Sequence, residues 1–289
     1  MEADLTPFAG RLVPRRPDLA AEYLKGQVAA ERFEQGVSCV VTAPILDLAL
    51  SPEPNAGLAT QLLYGESFTV YEDRGDGLAW GQSGWDGYVG FVASAGLATL
   101  GVSVPTQHRT VTALSSHIYT RPDIKAPVFR SIPYLAEVAT VAEEGAFYRL
   151  ARGGYVPRVH FEARPGDAVD HARRFLGAPY LWGGRSARGL DCSALVQLAF
   201  RAAGQMDCPR DSDMQEALFG TKLAEGDAPA RGDLLFWKGH VAMCTGEGTI
   251  IHANAHHMAV AEEALEGAVQ RILDTGGGPV TSLRRPPVG

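Results

Sequence analysis

The chain of 289 residues, 46% hydrophobic and 20% charged, is long enough for two or three domains with their own cores. No apolar run approaches a membrane span, and a net charge of −7 with a pI near 5.6 leaves no electrostatic footprint for nucleic acid or an anionic membrane. Cys39, Cys192, Cys208 and Cys244 stand singly, without the spacing of a zinc site or the density of a disulfide scaffold, so a reducing compartment is expected.

The first ten residues, MEADLTPFAG, carry acids where a signal peptide carries bases, and no apolar core follows them, which predicts a cytoplasmic protein. Residues 1–38 read as a lead-in that packs on a domain, with a short helical pattern from Leu19 to Leu24. From Cys39 the texture changes to short β runs: CVVTAPILDLALS, then the alternating Ser67 to Tyr71, a turn at Asp73 to Gly77, and GYVGFVA. The same grammar returns about 60 residues later, where AEVATVAEEGAFYRLARGGYVP parallels ESFTVYEDRGDGLAWGQSGWDGYVG. Two small β-barrels in tandem are predicted, over residues 39–101 and 102–162.

After Arg164-Pro165-Gly166-Asp167 the pattern turns helical. Apolar positions predict helices over Ala168 to Leu176, Ser193 to Ala203 and Asp211 to Leu218. GDLLFWKGHVAMCTGEGTIIHANA then reads as three strands joined by turns. Residues 163–289 are therefore expected to form an α+β domain, helices first and antiparallel sheet after, the order of papain-like folds.

Cys192 stands where an apolar helix begins. A thiol attacks as thiolate, and the unpaired N–H groups of a helix N-terminus lower a cysteine pKa. Burial statistics alone would make a lone cysteine a core residue. The histidines change that balance, because a thiol nucleophile needs an imidazole to take its proton. His240 and His252 fall on adjacent predicted strands with their midpoint at Gly246, so a hairpin turning there sets them directly cross-strand. His252 would then orient His240 as the third member of a triad. The same trio could offer three zinc ligands, but a zinc hydrolase also wants a carboxylate base, so no metal or other cofactor is expected. His256 and His257 read as loop neighbours of the site.

PYLWGGRSARGLDCSALVQ, RGDLLFWKGHVAM and IIHANAHHMAV, with 48 residues from Cys192 to His240 and 12 more to His252, resemble the NlpC-type papain-like cysteine peptidases that cut peptidoglycan peptides. The upstream repeats resemble bacterial SH3 domains, and the whole is similar to the cytoplasmic γ-D-glutamyl-L-diamino acid endopeptidases with tandem SH3 domains. The resemblance implies two SH3-like barrels followed by a papain-like catalytic domain, with Cys192 as nucleophile, His240 as base and His252 as orienting residue. Tyr180 matches a tyrosine near the oxyanion position, where the Cys192 backbone N–H would be the other donor. Asp191 and Ser212 match groups that grip the free amino end of the substrate, with Arg210 and Asp211 holding their loop. For Asp191 a helix N-cap is an equal reading, and Ser193 shares the ambiguity. Glu66 and Tyr88 match positions by which the first SH3 domain closes the groove, pairing the substrate amine and lining its pocket.

The implied reaction is hydrolysis of the γ-D-Glu-diamino acid bond in murein peptides bearing a free N-terminal L-Ala, a recycling activity on a small peptide with no obligate protein partner. A papain-like amidase or acyltransferase on another amide, or a non-catalytic binder of wall fragments, are the alternatives.

Overall fold

The structure, a computed structural model, describes residues 6–99, 106–224 and 226–287, which fall into two compact units, 1–164 and 165–289. The predicted boundary between the barrels, at 101/102, lies outside the described residues.

The N-terminal unit holds two sheets of one topology. The first runs Val37–Val41, Ser67–Asp73, Leu78–Ser83, Val89–Ala93, Ile45–Ala49, Leu58–Leu63, with Leu97–Thr99 added beside Val37–Val41. The second repeats the order with Gln107–Thr110, Glu137–Glu144, Phe147–Leu150, Tyr155–Pro157, Ser115–Tyr119 and Val128–Pro133. Even an irregularity recurs: the long hairpin of each sheet shifts register, between Val70 and Glu72 in one and between Thr140 and Ala142 in the other. An unpaired residue there bends and twists a strand, which is how so short a sheet curls into an SH3-like barrel.

Gly65 brings the two barrels together. Its φ is +87°, and a Cβ there would lie 1.8 Å from the Glu137 carbonyl oxygen. Neighbouring Tyr64 accepts the Glu137 backbone N–H through its carbonyl at 2.8 Å, and its ring joins Ile118, Ile132 and Val138 in the second core.

The lead-in packs on the first barrel, but without the predicted helix over Leu19 to Leu24. Leu19–Ala21 is a strand paired in parallel with Arg32–Glu34, and Glu22–Leu24 is a single 3-10 turn. Leu19, Ala20, Ala21 and Leu24 are all buried against Tyr71, Trp80, Val89 and Phe91. Three successive buried side chains, Leu19 to Ala21, followed by exposed Glu22 and Tyr23, do not make the helical stripe that the pattern implied.

In the C-terminal unit, Ala168–Arg173 is capped by Asp167 in a reciprocal box with Asp170. The helix Cys192–Ala202 is buried along nearly its whole length and ends before Gly204, whose φ is +90°. A six-stranded antiparallel sheet follows, in the order Thr221–Lys222, Ser282–Arg285, Leu234–Trp237, His240–Gly246, Thr249–Asn254, Ala259–Ala264. The Cys192 helix packs on the two adjacent strands that carry His240 and His252. Helix Leu265–Asp274 joins the apolar cluster of Leu235, Trp237, Ala242 and Ile250. Helices laid on an antiparallel sheet are the architecture expected from the chain order. No helix among the described residues is long and apolar enough to cross a membrane.

Candidate active site

Cys192 is the first residue of its helix and is buried, with its Sγ taking the backbone N–H groups of Val241 and Ser193. Val241 follows His240, so the thiol lies against the start of the His240 strand. The expected lowering of the thiol pKa is not what the site produces. Burial pushes the Cys192 thiol up to about 12, with the Asp191 carboxylate adding to it, against the opposing pull of those N–H groups. Taking a thiolate out of water costs more than the helix terminus returns.

Asp191 is the N-cap of this helix, accepting the Ala194 N–H at 2.8 Å. Its two oxygens also take the Gly183 N–H at 2.9 Å, the Ser193 hydroxyl at 3.2 Å and a two-pronged ion pair from Arg210 at 2.9 and 2.8 Å. Arg210, itself buried, further reaches the Ser193 Oγ at 2.9 Å. Of the two readings of Asp191, the cap is therefore realised, within a buried brace that also fixes Ser193. Asp211 stands at the N-cap position of helix Ser212–Leu218, and Ser212, half-buried, opens that helix. Gln215 ties the same helix to the nucleophile helix by donating to the Ser193 and Pro209 carbonyls at 2.9 and 2.8 Å.

His240 Nε2 and His252 Nδ1 are 2.8 Å apart. The direct cross-strand pairing predicted for them is not observed. Glu247 and Gly248, with φ of 53° and 72°, make a two-residue turn between Gly246 and Thr249, as in a type I′ hairpin. A register shift between Cys244 and Gly246 then sets Met243 opposite Ile251. Continued along the strands, this register places Ala242 opposite His252, so the imidazoles meet diagonally, an offset that long and aromatic side chains span. Without the shift the two rings would stand on opposite faces of the sheet.

Sequence reasoning did not find what lies beyond His252. Its Nε2 is 2.7 Å from Glu263 Oε1, and Glu263 in turn is held by Arg271 from helix Leu265–Asp274. Ala261 is the partner of His252, so Glu263 is again a diagonal neighbour, and the relay crosses three strands obliquely. Only a correct register for Ala259–Ala264 could have disclosed it. Burial, with His252 and Arg271 adding to it, holds His240 down to about 3. Burial lowers His252 as well, against the pull of Glu263. Burial raises the Glu263 carboxyl, but hydrogen bonds from Arg271 and His252 outweigh it and keep it below its ordinary value.

Tyr180 is half-buried, and its backbone N–H donates to the Met258 carbonyl at 2.9 Å, tying it to the turn after the His252 strand. Burial pushes its phenol up to about 12, with Cys192 and Asp191 adding to it, so the hydroxyl is a donor throughout the physiological range. His257 lies on that turn, bonded to Asn254. No cluster of three metal-ligating side chains occurs among the described residues.

Glu66 and Tyr88 belong to the N-terminal unit. Glu66, buried rather than exposed at its turn, accepts the Leu63 N–H at 2.9 Å. Tyr88 is buried, with its N–H on Asp86 Oδ1 at 3.2 Å.

A thiol at a helix N-terminus beside a paired imidazole, on an antiparallel sheet, defines the cysteine-peptidase type of site. Residues 177–273 match the NlpC/P60 family and residues 48–97 match the bacterial dipeptidyl-peptidase Sh3 domain. The chain thus carries an NlpC/P60 domain, with an SH3 domain of that bacterial type upstream. It is 37% identical over 100 residues to a probable endopeptidase of Corynebacterium glutamicum, a match covering 34% of this chain and 47% of that protein, so the chain spans about half the length of that relative. Over 68% of this chain and 72% of the relative it is 26% identical to a γ-D-glutamyl-L-lysine dipeptidyl-peptidase of Bacillus subtilis. A crystal structure of an NlpC/P60 family protein from Bacillus cereus shares the fold at a TM-score of 0.70 and 21% identity, over 86% of this chain and 99% of that one.

Proposed function

We propose that the protein is a cysteine peptidase that hydrolyses the γ-D-Glu-diamino acid bond of murein peptides carrying a free N-terminal L-Ala. The observation that carries this reading is the joined set of Cys192 at a helix start and His240 hydrogen-bonded to His252. The substrate class is supported by the Bacillus subtilis relative named as a γ-D-glutamyl-L-lysine dipeptidyl-peptidase.

With thiol and imidazole both neutral at rest, His240 removes the Cys192 proton as Sγ attacks the amide carbon. The Cys192 backbone N–H and the Tyr180 hydroxyl donate to the developing oxyanion. Histidine returns the proton to the leaving amine, the C–N bond breaks, and a thioester remains. Water, deprotonated by His240, attacks the thioester, and the thiol recovers its proton as the acid leaves. Ser212 is assigned to the substrate end, and Asp191, Ser193, Arg210 and Asp211 support the loop. Four free, buried cysteines favour a reducing compartment, so the reading includes cytoplasmic recycling of wall peptides.

Incubation with L-Ala-γ-D-Glu-diaminopimelate should release the dipeptide L-Ala-γ-D-Glu and free diaminopimelate, and N-acetylation of the tripeptide should block it. Intact tripeptide, or unchanged turnover by Cys192→Ala, would exclude this function. Transfer of the acyl group to an added amine in preference to water would make it an acyltransferase instead.

A further inference from the structure

We propose that Glu263, clamped by Arg271, fixes the proton positions on both imidazoles and so leaves Nδ1 of His240 as the atom that takes the Cys192 proton. Glu263 is thus a positioning residue, and the inference rests on Cys192 and His240 being nucleophile and base.

The argument is one of donors and acceptors. An ionised carboxylate only accepts, so at 2.7 Å from Glu263 Oε1 the Nε2 of His252 must carry the proton. Neutral His252 then offers a lone pair at Nδ1. The His240 Nε2, 2.8 Å away, must donate to it. Neutral His240 is left with Nδ1 bare. The opposite arrangement, His252 Nδ1–H donating to His240 Nε2, makes an equally good bond between the rings but puts a proton on the His240 Nδ1 and removes the base. Nothing within the imidazole pair distinguishes the two arrangements. Glu263 does, and it does so only while ionised, because a protonated carboxyl could donate to His252 Nε2 and permit the inactive arrangement. Arg271, in the last turn of the helix that follows the Glu263 strand, supplies the charge that keeps it ionised. Placement by register supports a built relay: His252 is paired with Ala261 and Glu263 with Ile250, so all the polar rings and the carboxylate share one face.

The titratable and charged groups facing His252 are His240 from its neighbouring strand, Glu263 from the other side, Arg271 from the helix and His257 from the turn. Those facing His240 are His252, Arg271 and Glu263. Among them Glu263 alone favours the imidazolium, so its removal and that of Arg271 act in opposite senses.

The test uses the full chain as wild type, Glu263→Gln and Arg271→Met, with the rate of Cys192 alkylation by iodoacetamide followed against pH and imidazole 15N spectra recorded in parallel. Wild type should show His252 protonated at Nε2 and His240 bare at Nδ1. Glu263→Gln should slow alkylation at neutral pH by about 10–100-fold, the usual cost of losing a partner that orients a functional histidine, and move the acid limb to lower pH. Arg271→Met should move that limb to higher pH. A wild-type spectrum with the proton on His252 Nδ1 overturns the proposal even if a variant does not fold. So does an unshifted acid limb in both variants, whatever their melting temperatures. Neither readout uses a peptide, so a wild type that ignores the murein tripeptide sinks the substrate assignment alone.

Discussion

His240 and His252 stand two positions out of register on neighbouring strands, and their rings nevertheless meet at 2.8 Å between Nε2 and Nδ1. The single shift between Cys244 and Gly246 puts them on one face. Side chains alternate with a period of two, so one residue more or less in the strand turns every ring to the other side.

Thr245 is the extra residue of that shift, so its deletion should close the bulge while leaving Cys244 opposite Ile250, Met243 opposite Ile251 and His240 diagonal to His252. Deletion of Met243 takes a residue out of the paired stretch instead and should turn His240 to the other face. Peptide cleavage and Cys192 alkylation should fall by at least about 100-fold in the second variant, in line with loss of a catalytic base, and stay near wild type in the first; equal activity of the two would overturn the register argument.

The brace under the nucleophile predicts a stability cost rather than a selective loss of affinity. Asp191→Ala leaves the buried Arg210 guanidinium without its ion pair and the Cys192 helix without its cap. Breaking a buried pair from one side costs about 3–5 kcal/mol, readable as a shift of the urea midpoint. The double substitution Asp191→Leu with Arg210→Met should recover part of that loss, since it leaves no uncompensated charge.

Stability should be flat across a central pH window and fall on both sides. The Cys192 thiol is raised from 9.0 to about 12 in the folded state, so its contribution is complete below pH 9 and is lost as pH rises through about 12. His240 is lowered from 6.5 to about 3, so its contribution is present above pH 6.5 and is lost as pH falls through about 3. Denaturant midpoints measured against pH should show this, with Cys192→Ala flattening the alkaline arm and His240→Gln the acid arm.

Gly65→Ala should destabilise the N-terminal unit. Its φ of +87° and the 1.8 Å approach to the Glu137 carbonyl leave no room for a methyl group. The junction at Tyr64 must open, and a lower melting temperature with new protease cleavage between residues 64 and 137 is the expected readout. The neighbouring substitution Ser67→Ala, on an exposed position, serves as the control.

Local chemistry carried much of the sequence reading. An apolar run after Asp191-Cys192 implies a capped helix with a cysteine at its mouth, because N-cap preference and helical periodicity act within a few residues. The repeat was legible because each SH3-like copy needs the same hairpin, turn and closing strand, and the two sheets indeed share one strand order. Tertiary structure decided the rest. Leu19 to Leu24 carried a helical pattern, yet contact with Tyr71, Trp80 and Phe91 drew its first half into a strand and left the rest a single 3-10 turn. The spacing of the histidines placed them on adjacent strands, but a bulge chose their face, and bulges leave no period in a sequence. Glu263 and Arg271 were hidden for the same reason. Their approach to His252 depends on the register of a third strand and the docking of a helix, which are long-range packing outcomes. The charge state of Cys192 was likewise decided there: the helix start is local, but the burial that opposes it belongs to the folded whole.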